Sequence, residues 1–210
     1  MRVFAVDQGS PEWLQLRTGV ATASRAKDVL ATLKSGAPAQ ARQDYACELA
    51  IERITGSMVE HFVNGAMQRG TDLEPEARAA YAAMTGELVD QVGFCLHDSL
   101  AAGASPDGLI GTDGLLEIKC PQSQIKIAQY WATGDVSEYL PQVHWQMWIT
   151  GRAWCDLVIY DLRMARAGYE VFHTRIDHTE EWSKRLSDAV PLFLDEVAAI
   201  EAAIKQKRAA

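Results

Sequence analysis

The sequence predicts an α/β (α+β) fold, a central mixed β-sheet flanked by α-helices. Three observations lead there. Segments with helical spacing of apolar residues fill the chain up to Gly86. A block of short strand-like runs follows, up to Cys120. Two helical segments, two more strand-like runs and one long amphipathic tail complete the chain. Helices on either side of a strand block need a sheet to bury their apolar faces against.

Each element has a local reason. "GSPEWLQLRTG" opens a helix, with Ser10 as cap, Pro11 in the first turn, Glu12 at the positive end and Gly19 as its stop. "TASRAKDVLATL" reads as a second short helix starting near Thr22 or Ser24, and "SGAPAQA" as a loop. "RQDYACELAIERITG" is amphipathic and ends at Gly56. A longer helix is expected from Asn64 to Gly86, kinked at Pro75, which removes an internal donor. The runs "ELVDQVGFCLH", "LAAGAS", "DGLIGT" and "GLLEIKC" read as strands, with a hairpin turn over residues 111–114. "QIKIAQYWATG" and "SEYLPQVHWQMWITG" read as helices, "AWCDLVIYD" and "YEVFHTRID" as a strand pair, and the chain from His178 to Lys207 as a long helix.

At 210 residues and 48% hydrophobic content, the chain is long enough for one sizeable core, and a single domain over residues 1–210 is expected. The formal net charge of -8 argues against bulk basicity as a route to nucleic acid and against a membrane surface. A basic groove inside an acidic molecule stays open. The four cysteines are scattered without a C-x-x-C pair, which suggests neither a zinc site nor a disulfide framework. No apolar run approaches a membrane span, and a reducing cytoplasm is the expected compartment.

The segment "SPDGLIGTDGLLEIKCP", residues 105–121, carries the chemistry. With the turn at 111–114, Asp107 and Glu117 face one another across a hairpin. Glu117 and Lys119, two apart, share a face of their strand. Two carboxylates that close repel unless one is protonated or a cation lies between them. Hard divalent ions favour such oxygen ligands, and Mg²⁺ commonly uses one or two carboxylates together with phosphate oxygens. Lys119 can orient or deprotonate an attacking water, or stabilise a pentacovalent phosphate. The plain alternative is a structural Glu–Lys pair at a strand edge, because D-x(n)-E-x-K arises often by chance.

The segment resembles the PD-(D/E)-x-K nuclease superfamily, and more narrowly the lambda-type phage exonuclease (YqaJ-like viral recombinase) family. Four blocks match in order: "WLQLRTGVATAS" at 13–24, "RGTDLEPEAR" at 69–78, "SPDG…LEIKCP" at 105–121 and "QVHWQMWIT" at 142–150. The resemblance implies a restriction-endonuclease-like core and a Mg²⁺-dependent, processive 5′-to-3′ exonuclease on double-stranded DNA ends. Two Mg²⁺ per site are implied, with Mn²⁺ as a substitute. The products would be mononucleotides and 3′ single-stranded tails, passed to a single-strand annealing protein, and the assembly a homotrimer ring. By the same resemblance Asp107, Glu117, Glu74 and the main-chain carbonyl of Ile118 hold metal, and Gln142 lies beside Lys119 and the attacking water. Arg17, Ser24 and Ser105 would grip a 5′-terminal phosphate. Gln124 stands where the lambda-type enzyme has a further phosphate-binding arginine, with Lys126 close by in sequence.

Trp13 lies one turn before Arg17 and would border the end-binding pocket. Met67, one to two turns before Glu74, could act as an apolar wedge between terminal base pairs. Core packing is the alternative for both. The remaining tryptophans and His144 read as core or interface residues. Arg2, Arg25, Lys27, Lys34, Arg42 and Arg69 belong to the half of the chain that would face DNA. Two other readings stand beside the exonuclease: an endonuclease or single-strand nuclease on the same fold, and a catalytically inactive DNA-end-binding assembly protein.

Overall fold

The computed structural model describes residues 1–59 and 65–209, apart from the side chains at 66, 67 and 209. The chain begins with a short strand, β1 (Arg2–Phe4). The first helix, α1 (Pro11–Arg17), starts as its sequence dictates: Ser10 accepts a hydrogen bond from the Trp13 amide and Pro11 occupies the first turn. The segment after it is not one helix. Ala21–Thr22 forms strand β2, residues Ala23–Arg25 a 3₁₀ turn, and only Ala26–Val29 an α-helix, α2. Pairing of Ala21 and Thr22 with Ala102 and Gly103 overrides the local helical pattern. Helix α3 (Gln40–Thr55) stops at Gly56, which takes the left-handed conformation with φ 68°. Helix α4 (Gly65–Thr85) continues through Pro75 without interruption.

Nine strands are described. After β1 and β2 come β3 (Val89–Asp90), β4 (Phe94–Leu96), β5 (Ala102–Ala104), β6 (Gly108–Ile110) and β7 (Gly114–Lys119). Helices α5 (Gln124–Thr133) and α6 (Leu140–Thr150) follow, each ended by a left-handed glycine. Strands β8 (Trp154–Tyr160) and β9 (Val171–Asp177) precede the long helix α7 (Glu180–Ala209).

These strands form two sheets. A central mixed sheet has the order β3-β6-β7-β8-β9, and a smaller four-stranded sheet the order β1-β4-β5-β2. The second sheet was not foreseen, and it divides the run 87–97 that reads as one strand. Val89–Asp90 pairs with β6, whereas Phe94–Leu96 pairs with β1 and β5. Gly93, at the break, lies so close to the main chain at Phe4 and Val6 that a Cβ would not fit.

The central sheet places the chemistry. Strand β7 runs antiparallel to β6 and parallel to β8, and is buried along nearly its whole length, as the continuous apolar run "GLLEIK" requires. One face carries Leu115 and Leu157 against Val143 and Met147 of α6 and Ile127 of α5. The opposite face carries Leu116, Ile118 and Val158 against Ala77 and Tyr81 of α4. A further core, around Tyr45, Leu49, Trp145 and Phe193, joins α3, α6 and α7 to the small sheet.

Gly114 is paired with Trp154, and a Cβ there would run into the indole ring. Gly114→Ala should therefore cost about 1–3 kcal/mol, the usual range for overpacking. Equilibrium urea unfolding would show this as a lower midpoint at an unchanged slope.

Candidate active site

Register alone brings the two carboxylates together. Gly108 pairs with Leu116, so Asp107, one residue earlier, meets Glu117. Asp107 Oδ2 accepts a hydrogen bond from the Ile118 amide at 2.6 Å. Glu117 is 1% exposed, and both of its oxygens are held. Oε1 accepts from Gln142 Nε2 at 2.5 Å and lies 2.6 Å from Lys119 Nζ. Oε2 accepts from Gln146 Nε2 at 2.6 Å. Glu117 and Lys119 face α6 because they alternate with Leu116 and Ile118, which face α4. Lys119 Nζ also lies 5.7 Å from the centre of the Tyr139 ring.

Glu74 reaches the site from α4, where Arg78 one turn later donates to its Oε1. Arg78 Nε also donates to the Asp107 main-chain oxygen at 3.2 Å. Gln8 supports the same loop, its amide donating to the carbonyls of Val92 and Pro106 at 3.0 Å each.

A second group lies at the mouth. Trp13 Nε1 donates to Ser105 Oγ at 2.8 Å and to the Gly93 carbonyl at 3.2 Å. The Arg17 guanidinium stacks on the Trp13 ring at 4.0 Å, and its buried Nε has no hydrogen-bond partner. Ser24 Oγ lies 3.2 Å from Thr22 Oγ1. One open cavity of about 510 Å³ is lined by both groups: Trp13, Arg17, Ser24, Ser105, Glu74, Asp107, Glu117, Ile118, Lys119 and Gln142. Met67, proposed from the sequence as a wedge, has a side chain outside the described residues.

The electrostatics follow from crowding like charges in a half-dry cleft. Burial, then the negative charges of Glu117 and Glu74, push the Asp107 carboxyl well above the usual carboxylate range. Burial also raises Glu74, against the pull of Arg78. Burial disfavours the Lys119 ammonium, but Glu117 and Asp107 together outweigh it, so the group is held charged more firmly than an ordinary lysine. Burial lowers the Arg17 pKa, with Tyr45 and Glu52 partly offsetting it.

Among the described residues, no three His, Cys, Asp or Glu side chains stand ready-made as a metal nest. Lys119 and Arg78 lie on two of the carboxylates and supply the counter-charge. The donor set nevertheless suits a hard divalent ion: three carboxylates lining one cavity, and an Asp107 whose ionisation a cation would relieve.

Gln8, Arg78 and Gln146 carried no assignment from sequence. Gln146, wholly buried, and Gln142 clamp Glu117 from adjacent turns of α6. Glu74 and Arg78 share the same i,i+4 spacing, which was the available signal in both cases. Lys126 does not reach the cleft. It pairs with Glu138 at 3.0 Å. Arg42 is no DNA-facing cation either: it is buried against Glu196 at 3.0 Å. His144 is a core residue, stacked on Trp182 at 4.7 Å and driven down to a pKa of about 4, first by burial.

Known proteins of similar build bear on this arrangement. A search of curated proteins gives no match. Among solved structures, LHK-Exo in complex with dAMP is 42% identical, with a TM-score of 0.86 over 95% of this chain and 98% of that one. An alkaline exonuclease (LHK-Exo) from Laribacter hongkongensis is also 42% identical over the same shares of both chains, with a TM-score of 0.85. A phage related exonuclease from Haemophilus somnus 129PT, 14% identical with a TM-score of 0.69 over 90% of this chain and 96% of that one, shares the fold. The family model for the YqaJ-like viral recombinase domain matches residues 12–153, which include the whole acidic cluster and the Arg17 pocket. The chain belongs to the YqaJ-like viral recombinase domain family.

Proposed function

We propose that the chain is a divalent-metal-dependent DNA exonuclease that degrades one strand of a duplex from its 5′ end. The observation that carries this reading is one cleft holding two groups of opposite character: the acidic cluster of Asp107, Glu117 and Glu74, and a half-buried Arg17, its buried Nε without a hydrogen-bond partner, with Ser105 in the same lining. The relatives described as exonucleases support the reaction class, and the dAMP in one of them supports mononucleotides as product.

Asp107, Glu117, Glu74 and the Ile118 carbonyl would hold Mg²⁺, two per site, with Mn²⁺ as a substitute. When bound, such ions supply Lewis-acid stabilisation to the attacking and leaving oxygens. The chain's own groups do the rest. Gln142 and Gln146 fix the orientation of Glu117. Lys119, kept as an ammonium, donates to the attacking water and to the phosphate as negative charge builds there. Its raised pKa favours these roles over that of a resting base. Arg17, Ser24 and Ser105 bind the 5′-terminal phosphate and so set polarity, with Trp13 as the plate that keeps the Arg17 guanidinium planar to the ligand.

The wider reading rests on the motifs shared with the lambda-type exonucleases. It comprises processive action as a homotrimer ring, a 3′ single-stranded product and a single-strand annealing protein as its recipient. A ring would turn a basic lining inward while the chain as a whole stays acidic. The cytoplasm is the proposed compartment, and the four free thiols fit a reducing one. No helix among the described residues is long and apolar enough to cross a membrane.

The test is digestion of linear duplexes bearing a 5′-phosphate or a 5′-hydroxyl, beside a covalently closed circle, in Mg²⁺ or in chelator. The phosphorylated linear duplex should shorten from its 5′ ends in Mg²⁺ only. A circle cut as fast as the linear form would instead identify an endonuclease. Arg17→Ala should abolish the preference for 5′-phosphate, losing about ten- to a hundredfold on that substrate, the worth of a hydrogen bond to a charged group. The rate on 5′-hydroxyl ends should hardly move, and the ratio of the two rates is the readout.

A further inference from the structure

Three carboxylates and two cations meet at the floor of the cleft. Lys119 was expected there, but Arg78 was not. Its guanidinium donates to Glu74 Oε1 on its own helix and, through Nε, to the Asp107 main-chain oxygen at 3.2 Å. Arg78 thus ties the Glu74 carboxylate on α4 to the main chain at Asp107. Its side chain is 14% exposed, so water screens its charge poorly. It also lines another cavity of about 450 Å³, to which Glu74 and Asp107 contribute as well.

With all three carboxyls ionised, the state a bound cation favours, the charges of Asp107, Glu117 and Glu74 exceed those of Lys119 and Arg78 by one. A single divalent cation turns that small deficit into a small surplus. A second would leave a large positive surplus with no anion to meet it, until a phosphodiester enters. We infer that Arg78 is a positioning residue that acts as counter-charge to Glu74, limiting the DNA-free site to one divalent cation and admitting the second only with a DNA phosphate. This rests on the metal-dependent reading above.

The direct readout is metal binding rather than turnover. Free Mn²⁺ is followed by electron paramagnetic resonance at one fixed pH of about 8 for every protein, well above the ordinary carboxylate range. The full chain is compared with Arg78→Gln, Arg78→Met and Arg78→Lys. The parent should bind one Mn²⁺ tightly, and take up a second when a short duplex with cleavage-resistant phosphorothioate ends is added. Each neutral variant should bind the second ion without duplex, about tenfold more tightly than the parent does, as loss of a nearby unit charge in a poorly screened site implies. Arg78→Lys should resemble the parent. In a Glu74→Gln background the neutral change should bring no gain.

Neutral variants that bind Mn²⁺ no better than the parent, with unchanged circular dichroism, would overturn the inference and reduce Arg78 to a brace for Glu74. So would a parent that binds two Mn²⁺ without duplex, a result that needs no variant to fold. A parent that binds none, with or without duplex, would remove the metal-dependent function itself.

Discussion

Lys119→Met is expected to slow phosphodiester hydrolysis by about 10²–10³-fold, the usual loss when one preorganised donor to a transition state is removed. Single-turnover digestion of a 5′-phosphorylated duplex measures it, and the DNA concentration for half-maximal rate should change far less. The stem of methionine retains the packing of the lysine stem, so the missing group is the ammonium alone. Its loss leaves the buried Glu117 charge without a cationic partner. That costs stability, but less than the about 3–5 kcal/mol of a wholly stripped buried pair, because Gln142 and Gln146 still donate to both oxygens. The Lys119→Met protein should therefore melt earlier than the parent in chelator. A variant that melts like the parent and cleaves like it would make the Glu117–Lys119 pair a plain strand-edge ion pair.

Asp107→Asn should stop cleavage and yet stabilise the metal-free fold. The folded chain holds the Asp107 proton more tightly than the unfolded chain, first because of burial and then because of Glu117 and Glu74. Such a carboxyl is harmless while protonated. As the pH climbs from the ordinary carboxylate range through the raised folded value, its ionisation draws stability down. In chelator, the parent's melting temperature should thus fall on going from mildly acidic to mildly alkaline buffer. Asparagine keeps an oxygen for the Ile118 amide and removes the charge, so that decline should shrink in the variant. Divalent cation should raise the parent's melting temperature and leave the variant nearly unmoved. Calorimetric scans across pH, with and without Mg²⁺, give all three readings. The fold would then be more stable without a residue its chemistry needs, a common conflict at functional sites.

The Asp107, Glu117 and Lys119 part of the site was legible because these residues obey short-range rules. The Gly-Thr-Asp-Gly turn fixes the β6–β7 register, which places Asp107 against Glu117, and the two-residue alternation puts Lys119 on the same face. The caps at Ser10 and Gly56 and the helices α3, α5, α6 and α7 follow from local chemistry in the same way. What escaped is what depends on distant pairing. Strands β1 and β2 are only three and two residues long, too short for any period to show. They exist because partners from residues 94–103 complete their ladders. The same pairings pull residues 87–97 into two sheets. Gln146 and Arg78 were visible as i,i+4 neighbours of Gln142 and Glu74, but such spacings abound on helices, and only the fold shows that these face a buried carboxylate.

The central claim is that Asp107 and Glu117, with the carbonyl of Ile118 just after Glu117 in sequence, form a cation site at the floor of the cleft. Diffraction from Mn²⁺-soaked crystals at the manganese absorption edge tests it most directly. The account predicts an anomalous peak between the Asp107 and Glu117 carboxylates, bordered by the Ile118 carbonyl. A cleft without such a peak, with Lys119 still seated on Glu117 at saturating Mn²⁺, would contradict it.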